Sequence, residues 1–141
     1  MGRRETRECA MKFIFQTMIQ KEDVEEQIGR FCEENELTEA GERSYFLDVV
    51  HGVAEHAEEL DARIARHAKG WTINRMPKVD LSIMRLSTFE MAYCKDIPAS
   101  VSINEAVELS KHYGDDQSKS FVNGVLAKVW LEIQSEQVSK E

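Results

Sequence analysis

The chain has little cysteine, only two prolines and no long apolar run. Its three cysteines, Cys9, Cys32 and Cys94, are odd in number, widely spaced and without a Cys-x-x-Cys pair. That pattern suggests neither a disulfide framework nor a zinc site and predicts buried thiols in a reducing compartment. No segment approaches the ~20 apolar residues needed to cross a bilayer, and the N-terminus lacks a secretory apolar core. A soluble cytoplasmic protein without membrane contact is expected. Catalytic signatures are also missing: there is no Gly-x-Ser-x-Gly elbow, P-loop or dinucleotide glycine fingerprint. His51, His56, His67 and His112 make no His-Glu-x-x-His spacing, so they read as surface histidines rather than a metal set. No cofactor, metal or enzymatic activity is indicated.

What is present is helical periodicity. At 141 residues the chain is the size of one domain, and folding buries roughly two-thirds of the unfolded surface. Ala10, Phe13, Ile14 and Thr17 recur at spacings of three and four, and Val24, Ile28, Phe31 and Cys32 do so after Asp23, a plausible N-cap. Phe46, Val49, Val50, Val53, Ala57, Leu60, Ile64 and Ala68 draw one longer helix, with a slight bend expected at Gly52. Met76-Pro77 interrupts the chain, after which Val79, Ile83, Leu86, Glu90 and Tyr93 define a further helix closed by Asp96-Ile97-Pro98. Nothing alternates with period two over enough residues to make a strand. The reading is an all-α protein of two packed helical-bundle halves, about 1–72 and 73–141, in a single domain. Trp71 and Trp130 fit the core or the contact between the halves.

The net charge of −8 argues against nucleic-acid binding, since phosphate recognition depends on Lys and Arg. Its distribution qualifies that. Arg3, Arg4 and Arg7 make the opening basic, whereas Glu22 to Glu42 is acidic, so one end suits RNA while the other faces solvent or a basic protein. The carboxylates Asp80, Glu90, Glu105 and Glu108 have simpler uses than acid–base chemistry. Glu105 suits a helix cap, and Glu90 and Arg85 suit ion pairs between helices.

The last third is the most informative. In Val101-Ser102-Ile103-Asn104-Glu105, Ser102 and Glu105 have the spacing of a capping box. Gly114 suits a left-handed helix end, and Asp115-Asp116 supplies carboxylates for the next cap. Phe121, Val125, Val129 and Ile133 then form an apolar stripe. Asn123 and Gly124 sit poorly in it, because a helical glycine costs about 1 kcal/mol against alanine. Gly124 is expected to permit close helix packing and Asn123 to make a buried hydrogen bond; the alternative is an exposed polar patch.

These runs, Val101 to Leu109 and Phe121 to Leu126, resemble the C-terminal signature of the NusB family of bacterial transcription antitermination factors. Arg3-Arg4 with Arg7-Glu8-Cys9-Ala10 is similar to that family's entry into its first helix, and Val79 to Leu86 with Phe89-Glu90 to its central helix. The resemblance implies two helical subdomains in one compact unit. It further implies pairing with NusE, a small-subunit ribosomal protein, and binding of boxA RNA within the RNA polymerase antitermination complex, which carries ribosomal RNA operons past termination signals. On this resemblance Arg3, Arg4 and Arg7 contact phosphate, and Gln117, Ser118, Lys119 and Phe121 contact bases or backbone. Phe121 offers a stacking face if exposed and is core otherwise. Phe15, Asp80 and Met84 match the partner face, with Asp80 meeting a basic side chain.

Three departures bear on the transfer. Glu5 interrupts a short arginine cluster, Phe15 stands where many relatives have tyrosine, and Gln117 stands where some have an acid. A homodimer is also possible within the family and would hide the surface used for NusE. A rival reading is a protein-interaction module without independent RNA recognition, because the N-terminal regions of some ribosomal RNA cytosine methyltransferases also resemble NusB. No catalytic domain is seen after Ile133, which favours a stand-alone factor.

Overall fold

The structure is a computed structural model that describes residues 1–139. Among them the chain is helical: α1 (Arg3–Ile19), α2 (Val24–Glu34), α3 (Ala40–Glu55), α4 (Ala57–His67), α5 (Lys78–Tyr93), α6 (Ala99–Tyr113) and α7 (Ser118–Ser139), with a 3-10 turn at Ile73–Arg75. Asp23 caps α2 as its sequence position predicts, accepting from the Glu25 and Glu26 N–H groups. Phe13, Phe31 and Phe46 meet with ring centroids 5.3 to 5.8 Å apart and fasten α1, α2 and α3 together.

Helix α5 is the axis of the fold. It packs against α1, α3, α4, α6 and α7, and Asp80 to Met84 and Leu86 to Met91 along it are buried. A helix so enclosed is expected to be apolar or hydrogen-bonded on nearly every side, and only Asp80 Oδ1 and Thr88 Oγ1 along it are buried without a partner among the described residues. Accordingly Ser82 Oγ donates to the Lys78 carbonyl at 2.7 Å, and Ser87 and Ser102 meet Oγ to Oγ at 2.9 Å between α5 and α6. No helix among the described residues is long and apolar enough to cross a membrane.

Four local expectations are corrected. The long helix is two, because the chain turns at His56 (φ −107°, ψ 17°), whose ring stacks on Tyr93 at 4.4 Å. Gly52 is a packing position rather than a bend: a Cβ there would lie 2.2 Å from the Phe89 ring. Ser102 does not cap α6, which begins at Ala99 after Pro98; a proline with φ −60° sets the start one turn earlier, leaving Ser102 buried. Gly114 is not left-handed, at φ −93°. It is needed for space, since a Cβ would lie 2.4 Å from Ser118 Oγ.

Candidate functional site

The arginine-rich opening of α1 is already occupied. Arg3 pairs with Glu42 at 3.0 Å and lies over the Tyr45 ring, its guanidinium carbon 4.2 Å from the centroid. Arg4, largely exposed, pairs with Glu105 at 3.0 Å, so that carboxylate serves an ion pair between α6 and α1 rather than a cap. Arg7 differs in kind. It is 5% exposed, and its Nε donates to Glu90 Oε2 at 2.9 Å. Glu90 is fully buried and also accepts from Tyr45 OH and, at Oε1, from Ser102 Oγ at 2.8 Å. Such a carboxylate, with partners on both oxygens, is the condition under which a buried ion pair holds. Burial, followed by the charge of Glu90, raises the Tyr45 pKa far above the ordinary tyrosine range and keeps the phenol a donor. The assignment of Arg7 to phosphate is therefore corrected: its side chain joins α1 to α5 inside the protein.

The corner between α6 and α7 is built by reciprocal capping. Asp115 Oδ1 accepts from the Gln117 N–H at 2.9 Å and from Ser118 Oγ at 3.3 Å, and Ser118 Oγ accepts from the Asp115 N–H at 3.0 Å. Ser118 is consequently buried at 2% exposure, with its hydroxyl engaged by Asp115 at the wall of the cleft between Trp71 and Phe121, so its expected RNA contact is corrected to a capping role. Gln117 and Lys119 are exposed, and Phe121 is partly so. Its ring meets that of Trp71 with centroids 5.9 Å apart. Trp71 is 45% exposed, so of its two expected places the core fails, while its contact with Phe121 of α7 accords with a place between the halves. The one sign of this in the sequence is its position: Trp71 follows Gly70 at the end of the apolar spacing that runs to Ala68, and in the structure it lies between the positive-φ turn at Gly70 and the 3-10 turn.

Trp71 and Phe121, with Asp80, Asp115, Asp116 and Gln117, line a cleft of about 550 Å³. Its size suits a small planar group, its walls are aromatic and its rim is acidic, so it favours ring faces and N–H donors over phosphate.

The implied partner face is only partly at the surface. Phe15 is half-buried, whereas Asp80 is 3% exposed and Met84 is fully enclosed. Met84 is thus corrected, since α5 is surrounded by helices and its side chain is fully enclosed; Asp80 reaches the surface only at the cleft it lines with Trp71 and Phe121. Burial raises the Asp80 pKa, and the charge of Asp115 adds to it.

The remaining polar groups are structural. Arg85 holds Asp61 through two bonds of 2.7 and 2.6 Å, joining α5 to α4, and His67 approaches Glu132 at 2.7 Å. His51 lies 2.7 Å from Glu25. Among the described residues no group of His, Cys, Asp or Glu is placed to hold a metal ion.

Asn123 and Gly124 are both exposed, and nothing lies within 4 Å of where a Gly124 Cβ would stand. The expected packing role of this pair is therefore corrected, and the alternative of an exposed polar patch stands.

Comparison with known proteins accords with this architecture. The model of the NusB family matches residues 4–130. The transcription antitermination protein NusB of Acetivibrio thermocellus is 52% identical over 129 residues, covering 92% of this chain and 88% of the relative. That of Bacillus subtilis is 42% identical over 134 residues, covering 95% and 98%. Among solved structures, NusB of T. maritima superimposes with a TM-score of 0.84 at 33% identity, covering 94% of this chain and 92% of the other. A chain from a complex of antitermination factors NusB and NusE with dsRNA gives 0.84 at 25% identity, covering 92% and 96%. With matched sequence along nearly its whole length and the same all-helical fold, the chain belongs to the NusB family.

Proposed function

We propose that this protein is an RNA-binding transcription antitermination factor that pairs with NusE and binds boxA RNA to promote transcription of ribosomal RNA operons within the RNA polymerase antitermination complex. The observation that carries this reading is the full-length likeness to a NusB solved with NusE and dsRNA, joined to 52% identity with a transcription antitermination protein.

Residue by residue, Arg3 and Arg4 are the phosphate contacts at the start of α1. Each exchanges a surface carboxylate, Glu42 or Glu105, for a phosphate, and surface ion pairs are weak enough to permit it. Gln117, Lys119 and the exposed edge of Phe121 contribute the second contact region, with Trp71 beside Phe121 as a further stacking surface. NusE docks on the side of α1 that carries Phe15.

One observation favours the rival reading of an interaction module without RNA recognition of its own: every arginine of the opening cluster is paired with a carboxylate. A mobility-shift titration of boxA RNA with the protein, with NusE and with both separates the two. The proposal expects the pair to shift RNA at concentrations where neither does alone. A NusE complex that forms and leaves the RNA unshifted supports the rival.

A further inference from the structure

We infer that the outer face of α7, from Lys119 through Asn123 and Gly124 to Lys128, is a second track for the RNA strand, continuing from the α6–α7 corner. The inference rests on the RNA-binding reading above and extends it to residues outside the matched contact set.

Lys119, Ser120, Asn123, Gly124, Ala127 and Lys128 are exposed and recur at spacings of three and four, so they share one side of the helix. The opposite side carries Val122, Val125, Leu126 and Val129, all buried. In a chain of net charge −8, residues 117–131 contain no Asp or Glu. Neither Lys119 nor Lys128 takes part in an ion pair or hydrogen bond within the described residues. They are unlike Arg3, Arg4 and Arg7, which must leave an internal carboxylate before meeting a phosphate. Nine residues of helix set the two lysines about 13 Å apart along the axis, so a strand that meets both must run along the face.

Gly124 gives this face its second property. Glycine weakens a helix interior relative to alanine, yet no protein atom here uses the room its missing side chain leaves. The space is outside the fold, between two lysines unpaired among the described residues and beside an amide that both donates and accepts hydrogen bonds. A polyanion pressed against the helix backbone fits that combination: lysines for phosphate, Asn123 for ribose hydroxyl or base edge, and Gly124 for close approach. A protein partner would fit an apolar patch better, and the face is apolar only at its far end, where Leu131 is 64% exposed.

The test uses the full chain with NusE and a single-stranded boxA RNA, titrated at several salt concentrations beside thermal unfolding. Gly124→Ala should raise the unfolding midpoint by roughly 2–5 °C while weakening RNA binding about three- to tenfold, with NusE affinity unchanged. Lys128→Gln should leave the midpoint unchanged and flatten the log–log salt slope by about 0.7, the share of one phosphate contact on a single strand. If wild type binds RNA and both variants bind with wild-type affinity and slope, the track is overturned and the antitermination reading stands. If wild type with NusE fails to bind the RNA, both fall. Loss of NusE binding in either variant would make this face a protein interface and would also overturn the inference.

Discussion

The first turns of α1 and the outer face of α7 are both locally basic in sequence, yet the fold treats their cations differently. Arg3 and Arg4 sit on surface carboxylates, and Arg7 is enclosed with Glu90, Tyr45 and Ser102. Lys119 and Lys128 have no side-chain partner among the described residues. A count of positive residues therefore overstates one region and understates the other. What governs phosphate binding is the net exchange, a protein carboxylate for a phosphate, rather than the number of cations.

The largest effect that would sharpen this contrast is at Arg7. Arg7→Ala leaves a buried Glu90 carboxylate without its charge partner, and breaking a buried pair from one side costs about 3–5 kcal/mol. Urea unfolding checks this. A loss below about 1 kcal/mol would mean that Arg7 is no different in kind from its exposed neighbours.

The glycines repeat the contrast on a smaller scale. Gly52→Ala drives a Cβ into the Phe89 ring between α3 and α5, so it should destabilise by about 1–3 kcal/mol through overpacking. The open position at Gly124 should respond with the opposite sign. Equal signs in thermal unfolding would erase the distinction between a packed helix glycine and a vacant one.

A smaller, pH-dependent effect belongs to the inner side of α7. Glu132 is gripped by Arg66 at 2.6 Å, His67 at 2.7 Å and Arg63 at 2.7 Å. The hydrogen bond from Arg66 leads in lowering its pKa to about 2, aided by His67 and Arg63 and opposed by burial. A depressed carboxylate pKa means stability that is fully present above the unfolded value and lost as pH falls through the folded one. The stability difference between wild type and Glu132→Gln should thus be constant near neutral pH, shrink below about pH 4.5 and vanish near pH 2. A difference that does not change across this window would show that the clamp does not hold a charged Glu132.

Much of the helical architecture was legible because apolar spacing records which side of a helix is buried. The helix break at His56 was not, because Val53, Ala57, Leu60 and Ile64 keep their spacing through it and only the backbone turns. The start of α6 was misplaced by a good capping pattern at Ser102, when Pro98 had already set the helix a turn earlier. Within the candidate site, Gln117 and Lys119 could be read as surface from their place at a polar corner, whereas Phe121, which also begins the apolar stripe, could be read either way. Arg7, Asp80 and Ser118 could not be read as interior, since a charged or hydroxyl side chain carries no local sign of the distant partner that buries it. Glu90 lies 83 residues from Arg7, and that pairing exists only once α1 lies on α5.

The central claim is a division of labour among the N-terminal arginines, with Arg3 and Arg4 releasable to RNA and Arg7 fixed in the fold. Its most direct test is the salt dependence of boxA RNA binding by the NusE complex, compared between Arg3→Ala/Arg4→Ala and Arg7→Ala at a temperature where both are folded. The account predicts that the double variant keeps its unfolding midpoint, binds RNA more weakly and loses about 1.4 from the log–log slope, two single-strand phosphate contacts, while folded Arg7→Ala keeps the wild-type slope. A double variant with unchanged affinity and slope, beside an Arg7→Ala protein whose slope falls, would contradict it.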